Sequence, residues 1–366
     1  MLNNKTIAVV VPAYNEETQI GLVIETMPSF VDKIIVVNDS STDKTSEIVK
    51  SYWNTPFNKS IAIENLLYKD IPGHFNRADR AIQKQSLNEL SLFATSIVEN
   101  GSSTIERIIL INLTKNSGVG AAIARGYKWC KDYGIDCTAV MAGDGQMDPA
   151  ELESICKPVI YENIDYTKGN RLIHRSALLV IPKIRFFGNS ILSILTKLAS
   201  GYWHVSDTQT GFTAISNKAL NAIRLYDIYK KYGMPNDMLV KLNIAFCTIK
   251  EVEIKPVYNI GEKSKMKLYK VIPRISWLLF KSFFKRLWVK YLFRDFHPLF
   301  LLYHFSFILL LIWIPYLIKM SRIMLAGANA SIETLFAFTF LGVTAIQFFL
   351  FAMWMDIQDN ERLYKS

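Results

Sequence analysis

The stretch TIAVVVPAYNEE at residues 6–17 joins a run of β-branched residues to a polar turn. A second unit of the same kind, KIIVVNDSSTDKT, occupies residues 33–45. Short runs rich in valine and isoleucine are typical of strands that are buried on both faces of a parallel sheet. We therefore predict strands at Thr6–Val11 and Lys33–Asn38, each followed directly by polar side chains.

The same pattern continues outward along the chain. Further strands are predicted at Arg107–Leu113, Cys137–Ala142, Ile164–Gly169 and near Glu251–Tyr258. Helix-compatible segments lie between them, among them Gly118–Tyr133, a helix that begins at Pro149, and Lys183–Ala199. Strands that alternate with helices in this way indicate an α/β domain with a mostly parallel, Rossmann-like sheet, which we place at residues 1–267.

Residues 51–106 separate the second predicted strand from the third and are far longer than a usual crossover connection. The segment includes a predicted helix from about Ala81 to Val98. We interpret it as an inserted subdomain of the α/β domain. A mobile surface excursion and a lid or partner site are equally compatible with its sequence.

The last part of the chain has a different composition. Hydrophobic residues make up 50% of the whole chain and charged residues 20%, which excludes a disordered protein. Two stretches, Phe296–Ile318 and Thr334–Met355, contain no Asp, Glu, Lys or Arg. Each is long enough to cross about 30 Å of hydrocarbon as a helix. We predict two transmembrane helices within residues 299–355 and a cytosolic tail at 356–366, with a pair of buried core helices as the alternative.

Residues 268–298, which precede the first predicted span, carry seven Lys or Arg and one Asp. On a helix over Ile272–Leu287 the basic and apolar side chains fall on opposite faces, and Lys290 and Arg294 indicate a second short helix. Such basic amphipathic helices lie in the membrane interface and contact anionic lipids. Because a span follows directly, the partners we expect are membrane lipids and not nucleic acid.

The net charge of +10 and the dense Lys and Arg residues before the first span also predict an orientation. Basic residues accumulate on the cytoplasmic side of membrane proteins. We therefore expect an integral membrane protein, in the plasma membrane or an equivalent membrane, whose large domain faces the cytoplasm. The sequence leaves the oligomeric state open and is compatible with a homo-oligomer.

Ligands of open α/β sheets bind beyond the carboxyl ends of the strands, so the polar turns form the candidate site. After the second strand, Asp39 is placed to accept hydrogen bonds from a base or a ribose. After the third strand, Asn116 and Gly118 belong to a helix start of small residues that allows a ligand to approach the backbone. Each turn taken alone is also typical of an ordinary capped connection between a strand and a helix.

The turn after the fourth strand reads MAGDGQMDP at residues 141–149. Asp144 and Gln146, one glycine apart at a strand end, offer oxygen ligands to a hard divalent cation that would bridge a diphosphate. Asp148 stands before Pro149 and is predicted to cap the following helix. This turn therefore predicts a metal site beside a helix cap.

These four turns in this order resemble those of the inverting family 2 glycosyltransferases of the GT-A fold. Three later motifs, KGNR at 168–171, RFFGN at 185–189 and SDTQTGF at 206–212, are similar to its polyprenyl-phosphate branch, typified by dolichyl-phosphate mannose synthases. The resemblance covers roughly residues 5–267 apart from the insertion. It implies a GT-A domain with juxtamembrane helices and two C-terminal transmembrane helices.

The resemblance implies a role for each matching residue. The nucleotide of the donor would contact Pro12, Tyr14, Asn15, Glu16, Asp39, Asn116, Gly118 and Asp144. Asp144 and Gln146 would hold Mg²⁺ or Mn²⁺, and Arg171, Arg185 and Asn189 would hold the acceptor phosphate. Ser264 and Lys265, in the stretch GEKSK at 261–265, would close over the donor. One position departs from the family, because Ala142 stands where the first aspartate of the metal motif is usual.

The implied reaction moves a sugar from a UDP- or GDP-sugar to polyprenyl or dolichyl phosphate with inversion, with Asp144, Arg171 and Arg185 as the catalytic residues. A lipid phosphate is already ionised near neutral pH, so it needs cations to position it and no general base. A sugar hydroxyl of a lipid-linked glycan would need a base, for which Asp207 or Asp237 could serve. A non-catalytic membrane module that binds sugar nucleotides is the rival from another class.

Overall fold

The computed structural model of the chain describes residues 1–69, 71–73, 75–100, 105–181, 183–257 and 268–365. The strands within them are β1 Ile7–Ala13, β2 Lys33–Asn38, β3 Ser96–Val98, β4 Ile108–Leu113, β5 Cys137–Val140, β6 Tyr166–Asn170, β7 Thr213–Ser216 and β8 Ile249–Glu253. The α-helices are α1 Ile20–Glu25, α2 Thr45–Ser51, α3 Arg77–Glu89, α4 Val119–Asp132, α5 Leu152–Tyr161, α6 Ala177–Val180, α7 Lys183–Ser200, α8 Asn217–Ala222, α9 Met234–Ile244, α10 Leu268–Trp288, α11 Leu299–Leu325 and α12 Ile332–Glu361. Together they form an α/β domain followed by a long helical hairpin.

The eight strands of the described residues form one sheet in the order β3-β4-β2-β1-β5-β7-β6-β8. β1 is parallel to β2 and β5, β2 is parallel to β4, and β6 is parallel to β8. β3 runs antiparallel to β4, and β7 runs antiparallel to both of its neighbours. The predicted α/β class is confirmed, and the sheet is mixed because of β3 and β7.

Three local predictions were wrong. The predicted helix over residues 81–98 ends early, because Ser96–Val98 pairs with β4 as an edge strand. β7 was missed, since it is only four residues long and follows a polar loop without a valine-rich run. The last strand covers Ile249–Glu253, where it pairs with β6, instead of Glu251–Tyr258. The end of that predicted strand lies outside the described residues.

Alternating side chains of the central strands supply two apolar layers. Ala8 and Val10 of β1 belong to a cluster on one face, which α4, α8 and α9 cover. Ile7, Val9 and Val11 belong to a cluster on the other face, which α1, α2 and α5 cover. All five side chains are fully buried. The near-continuous apolar run of β1 therefore reflects a strand with helices on both sides.

A third apolar cluster joins the α/β domain to the C-terminal helices. Leu279, Phe283 and Leu287 of α10 pack there against α7, α9 and α11. These three residues belong to the apolar face that we expected in the membrane interface, and the structure buries them inside the protein against matching apolar faces of the neighbouring helices. Phe280 of the same predicted face is exposed, as are Trp277 and Trp288. The predicted second short helix is a π-helical continuation of α10 over Val289–Arg294.

The helices α11 and α12 are long and apolar enough to cross a membrane, each with a mean hydropathy of 2.1 over its most apolar window. Only 11% and 17% of these windows are buried inside the protein, which argues against two core helices of a soluble domain. The two helices pack against each other. Ser306 donates a hydrogen bond to the Ala345 carbonyl at 2.9 Å, and Trp313 donates one to the Phe338 carbonyl at 2.8 Å.

Residues 356–365, which follow the second apolar stretch, pack against the α/β domain. Arg286 of α10 forms an ion pair of 2.7 Å with Asp356 of α12, and both side chains are fully buried. Ile249 of β8 exchanges two backbone hydrogen bonds of 2.8 Å with residues 363–365. The segment 356–365, predicted as a tail, is thus part of the folded domain. Both ends of the helical hairpin meet the same body.

Candidate active site

A cleft opens at the carboxyl ends of β5 and β6. Asp144 and Gln146 reach it from the loop after β5, and Arg171 reaches it from the loop after β6. The other described lining residues are Ala142, Met147, Asp148, Glu151, Gln209, Thr210, Gly211, Phe212, Ile254, Lys255 and Val257. The fold therefore brings two predicted metal ligands and one predicted acceptor-phosphate residue to a single cavity.

The loop after β5 is a sequence of tight turns. It reverses at Gly145, whose φ of +74° is a conformation that glycine adopts without a steric penalty. The N–H of Gln146 donates to Oδ1 of Asp144 at 3.1 Å, so the two side chains share one turn. Asp148 accepts the N–H of Ala150 at 2.9 Å at the start of the short 3₁₀ helix that leads into α5. The predicted capping role of Asp148 is confirmed.

The protein ligands available to a cation in this loop are few. The side chain of Ala142 carries no oxygen, and the N–H of this residue lies 3.2 Å from Sδ of Met147. Within the described part of the chain, no three His, Cys, Asp or Glu side chains cluster closely enough to hold a metal ion. The carboxylate of Asp144 and the amide oxygen of Gln146 are nevertheless the hard donors that Mg²⁺ and Mn²⁺ prefer. These two residues fit a cation whose remaining ligands come from a diphosphate or water.

Arg171 and Asp207 form a bidentate ion pair at the wall of the cleft. Nε of Arg171 donates to Oδ2 of Asp207 at 2.8 Å, and Nη2 donates to Oδ1 at 3.1 Å. The arginine side chain is 22% exposed and the aspartate side chain only 2%, so the guanidinium is the member nearer to solvent. Burial alone would raise the pKa of Asp207, but the charge and hydrogen bonds of Arg171 and the charge of Lys168 together hold this pKa below the usual value.

Two further charged side chains lie behind this pair, and neither was predicted as a site residue. The carboxylate of Glu251 in β8 accepts the N–H groups of Ser206 at 3.0 Å and Asp207 at 3.1 Å. Nζ of Lys168, fully buried in β6, donates to the carbonyl of Thr210. Desolvation lowers the pKa of Lys168 to about 8 and raises the pKa of Glu251. The charges of these two residues inside predicted strands were the sequence signal for them.

The turns after β1 and β2 are bonded to each other. Oδ1 of Asn15 accepts the N–H of Thr42 at 2.8 Å, and the Asn15 N–H donates to Oγ of Ser41 at 2.9 Å. The N–H of Glu16 donates to Oγ1 of Thr45 at 3.0 Å. Two residues predicted to bind the nucleotide, Asn15 and Glu16, therefore also hold these two turns together.

Asp39 is buried between the turns after β2 and β4. Its two carboxylate oxygens accept the N–H groups of Ser117 at 2.6 Å and Gly118 at 2.7 Å. The glycines here permit a close approach, as expected, and in this structure the chain itself approaches them. A Cβ atom on Gly120 would lie 2.0 Å from the carbonyl oxygen of Tyr229. The loop before α9 packs onto this helix start and occupies the space.

The remaining predicted site residues are distributed as follows. The carbonyl of Pro12 accepts the N–H of Gly143 at 3.2 Å, which places the end of β1 beside the Asp144 loop. Tyr14 is half-buried at the same sheet edge, and Asn116 is exposed. Arg185 and Asn189 lie in α7; Asn189 is half-buried, and the side chain of Arg185 is outside the described part of the structure. Ser264 and Lys265 also fall outside the described residues.

Asp237, the second candidate base, lies in the first turn of α9. Its Oδ2 accepts the N–H of Tyr229 at 2.8 Å and Nζ of Lys241 at 2.6 Å. The side chain is 6% exposed, and it is absent from the described lining of the cleft. The structure therefore places Asp237 in an ion pair within the helix, away from Asp144 and Gln146.

The comparison with known protein families covers most of the α/β domain. The model of the family described as glycosyl transferase family 2 matches residues 8–64 and 94–224, more than half of the chain. The matched residues include Asp39, Asp144, Arg171 and Asp207, and the match omits residues 65–93 within the predicted insertion.

Several named relatives transfer sugars to polyprenyl phosphates. The UDP-N-acetylglucosamine–dolichyl-phosphate N-acetylglucosaminyltransferase of Methanococcus voltae is 27% identical over 258 residues, which covers 70% of this chain and 87% of that protein. The dolichyl-phosphate beta-glucosyltransferase of Trichomonas vaginalis is 23% identical over 300 residues, or 77% of this chain and 74% of the relative. An undecaprenyl-phosphate mannosyltransferase of Micrococcus luteus is 27% identical over 158 residues, or 43% of this chain and 64% of the relative.

Among solved structures, glucosyl-3-phosphoglycerate synthase from Mycobacterium tuberculosis, in complex with Mn²⁺, UDP and glucosyl-3-phosphoglycerate, aligns with a TM-score of 0.46 and 17% identity over 77% of this chain and 80% of that chain. The family match is the comparison that decides the identity, because it spans the strands and the loops that form the cleft. The chain belongs to glycosyl transferase family 2 and is a glycosyltransferase.

Proposed function

We propose that this glycosyltransferase moves a sugar from a nucleotide-sugar donor, a UDP- or GDP-sugar, to polyprenyl or dolichyl phosphate with inversion. The observation that carries the proposal is the shared cleft of Asp144, Gln146 and Arg171. Oxygen ligands suited to a cation and a guanidinium suited to a phosphate line the same cavity, which supports the proposal. The relatives named for dolichyl and undecaprenyl phosphate support the acceptor class.

In the proposed reaction an oxygen of the acceptor phosphate attacks the anomeric carbon, and the bond from that carbon to the donor diphosphate breaks. Attack from the face opposite the leaving group inverts the anomeric centre. When bound to Asp144 and Gln146, Mg²⁺ or Mn²⁺ would neutralise charge on the departing nucleoside diphosphate. Arg171 would orient the acceptor, because its planar guanidinium matches two phosphate oxygens at once.

The phosphate acceptor suits the charges of the cleft better than a sugar hydroxyl does. A hydroxyl acceptor requires a base within reach, and the pKa of Asp207 is held low by Arg171, which makes it a weak base. Asp237 is paired with Lys241 and lies outside the described lining of the cleft. An ionised phosphate needs neither residue as a base.

We further propose that the α/β domain faces the cytoplasm and that α11 and α12 anchor it in the membrane. The apolar helices start and end at the same body, since Arg286 of α10 pairs with Asp356 of α12. The seven basic residues of 268–298 support the cytoplasmic side. In this arrangement the head of a lipid acceptor reaches the cleft from the bilayer surface.

Transfer by the purified full-length chain tests the proposal. In detergent or nanodiscs it should move label from one member of a panel of UDP- and GDP-sugars to a short polyprenyl phosphate, with Mg²⁺ or Mn²⁺ present. An Asp144→Asn variant should lose this transfer, and Asp237→Asn should retain most of it. Label found only on a lipid-linked glycan, and lost in Asp237→Asn, would establish the hydroxyl mechanism instead. Nucleotide binding without any transfer would indicate the non-catalytic module.

A further inference from the structure

The carboxylate of Glu251 has no part in the proposed transfer, although it lies directly behind the cleft. We propose that Glu251 is a positioning residue for the acceptor phosphate, which holds the Asn170 side chain next to Arg171 and the backbone of Asp207, and so directs the guanidinium into the cleft. This inference rests on the proposed function, because it names the group that orients the acceptor-binding arginine.

The contacts of Glu251 reach both partners of the ion pair. Its Oε1 accepts the N–H groups of Ser206 and Asp207 at 3.0 and 3.1 Å. Its Oε2 lies 3.0 Å from the same Ser206 nitrogen and accepts Nδ2 of Asn170, also at 3.0 Å. Asn170 directly precedes Arg171 in the chain. One carboxylate therefore holds the residue before the arginine and the residue that pairs with it.

Asp207 passes this restraint on to the cleft. Besides the guanidinium, its carboxylate accepts the backbone N–H groups of Arg171 and Thr210, each at 3.2 Å. Thr210 and Arg171 both line the cleft. The N–H of Gln209 also donates to this carboxylate, at 3.2 Å. A side chain of two rotatable bonds that accepts these five donors has little freedom, so the position of Arg171 depends on the Asp207 backbone that Glu251 fixes.

Removing the charge of Glu251 has opposite expected effects on acceptor binding for a positioning role and for a purely electrostatic role. Lys168, Arg171, Asp207 and Glu251 form a buried group of two positive and two negative side chains. Removing the negative charge of Glu251 makes the site more positive. If only the field mattered, a Glu251→Gln variant would bind the anionic acceptor more tightly. The positioning role predicts weaker binding, because one carboxylate oxygen that accepts N–H groups becomes an NH₂ donor.

Steady-state kinetics of the full-length Glu251→Gln enzyme tests the proposal. We expect the KM for a short polyprenyl phosphate to rise about tenfold, while the KM for the nucleotide sugar changes less than about twofold. Glu253→Gln is the matched control, since Glu253 lies two residues further along β8, carries the same charge and is exposed. An unchanged or lower acceptor KM in Glu251→Gln would overturn the proposal.

A double-variant cycle shows whether Glu251 acts through Arg171. In an Arg171→Lys background, which lacks the bidentate fork, adding Glu251→Gln should cost less than about twofold in kcat/KM. The same tenfold loss in that background would contradict the proposed route. If Glu251→Gln does not fold, Asn170→Ala removes one of the bonds to Glu251 and should raise the acceptor KM in the same direction.

Direct titration of the unmodified and variant proteins with a short polyprenyl phosphate tests the role of Glu251 separately from the proposed sugar transfer. Tighter binding by the unmodified protein than by Glu251→Gln supports the positioning role even before a donor sugar is known. Failure of every nucleotide sugar to yield labelled lipid would overturn the proposed function. Equal acceptor affinity of the two proteins would overturn the role of Glu251 alone.

Discussion

The two halves of the sheet's carboxyl edge carry similar polar turns and use them differently. After β1, β2 and β4 the polar side chains bond to one another, as Asp39 does with Ser117 and Gly118. After β5 and β6 they line an open cleft, as Asp144 and Arg171 do. Strand order explains the difference. β4, β2 and β1 are immediate neighbours whose turns touch, whereas β7 separates β5 from β6.

This comparison shows that polar turns at one sheet edge can bond to one another or line a cleft, so a polar turn alone does not locate a ligand site. Because β7 runs antiparallel to its neighbours, it begins where they end. The residues that lead into it, Thr210 to Phe212, form a wall of the cleft between the turns after β5 and β6. A gap between turns therefore arises where an antiparallel strand is inserted in a parallel sheet.

The largest effect on activity is expected at the open half of the sheet edge, which consists of the turns after β5 and β6. An Arg171→Ala variant should lose at least about 100-fold in kcat/KM for transfer to polyprenyl phosphate, because the acceptor is no longer oriented. Arg175→Ala, an exposed arginine of the same loop, is the control and should keep near-normal activity. A loss of less than about fivefold in Arg171→Ala would show that this half does not bind the acceptor.

In the closed half of the sheet edge, the turns after β1, β2 and β4, a substitution should lower the stability of the fold. An Asp39→Asn variant replaces a carboxylate that accepts two N–H groups, so the free energy of unfolding should fall by about 2 kcal/mol. Nucleotide affinity should fall with it, because the turns around the donor loosen. Denaturant unfolding and nucleotide titration measure the two effects, with the exposed Asp79→Asn in α3 as control. Lost nucleotide affinity at unchanged stability would assign Asp39 to the ligand alone and break the comparison.

The smallest effect concerns pH at the open half. Desolvation lowers the pKa of Lys168 to about 8, so this lysine is charged below that pH and neutral above it. A phosphate monoester has its second pKa near about 6 and stays doubly charged over this range. Loss of the Lys168 charge should therefore raise the acceptor KM about threefold between pH 8 and about 9.5.

The donor KM should stay level over the same pH range. A Lys168→Arg variant keeps its charge, because the pKa of arginine lies far above this range, and should flatten the acceptor profile. An equally steep rise in that variant would show that another group titrates.

Much of the fold could be predicted from local sequence. Val and Ile runs located β1, β2, β4 and β5, because strands buried on both faces leave an unmistakable apolar run. The α/β class and the two long apolar helices followed from the same reasoning. β3 and β7 could not be found this way, since they are short and owe their conformation to pairing with neighbours far along the chain.

Part of the candidate site could also be predicted from the positions of the strands. Asp144, Gln146 and Arg171 follow strands directly, so sheet topology alone brings them to one edge. Glu251 and Lys168 lie inside strands, and their contacts could not be predicted before the pairing of β6 with β8 was known. The sequence of α10 could not show that Leu279, Phe283 and Leu287 pack inside the protein, because this contact depends on how α7, α9 and α11 are arranged around α10.

The buried pair of Arg286 and Asp356 has a consequence for the order in which the protein is made. Residues 356–365 leave the ribosome only after both apolar helices, yet they complete the edge of β8 and neutralise a guanidinium in the interior. A buried charge without its partner costs several kcal/mol. We therefore expect the α/β domain to complete its fold only after both apolar helices have been synthesised.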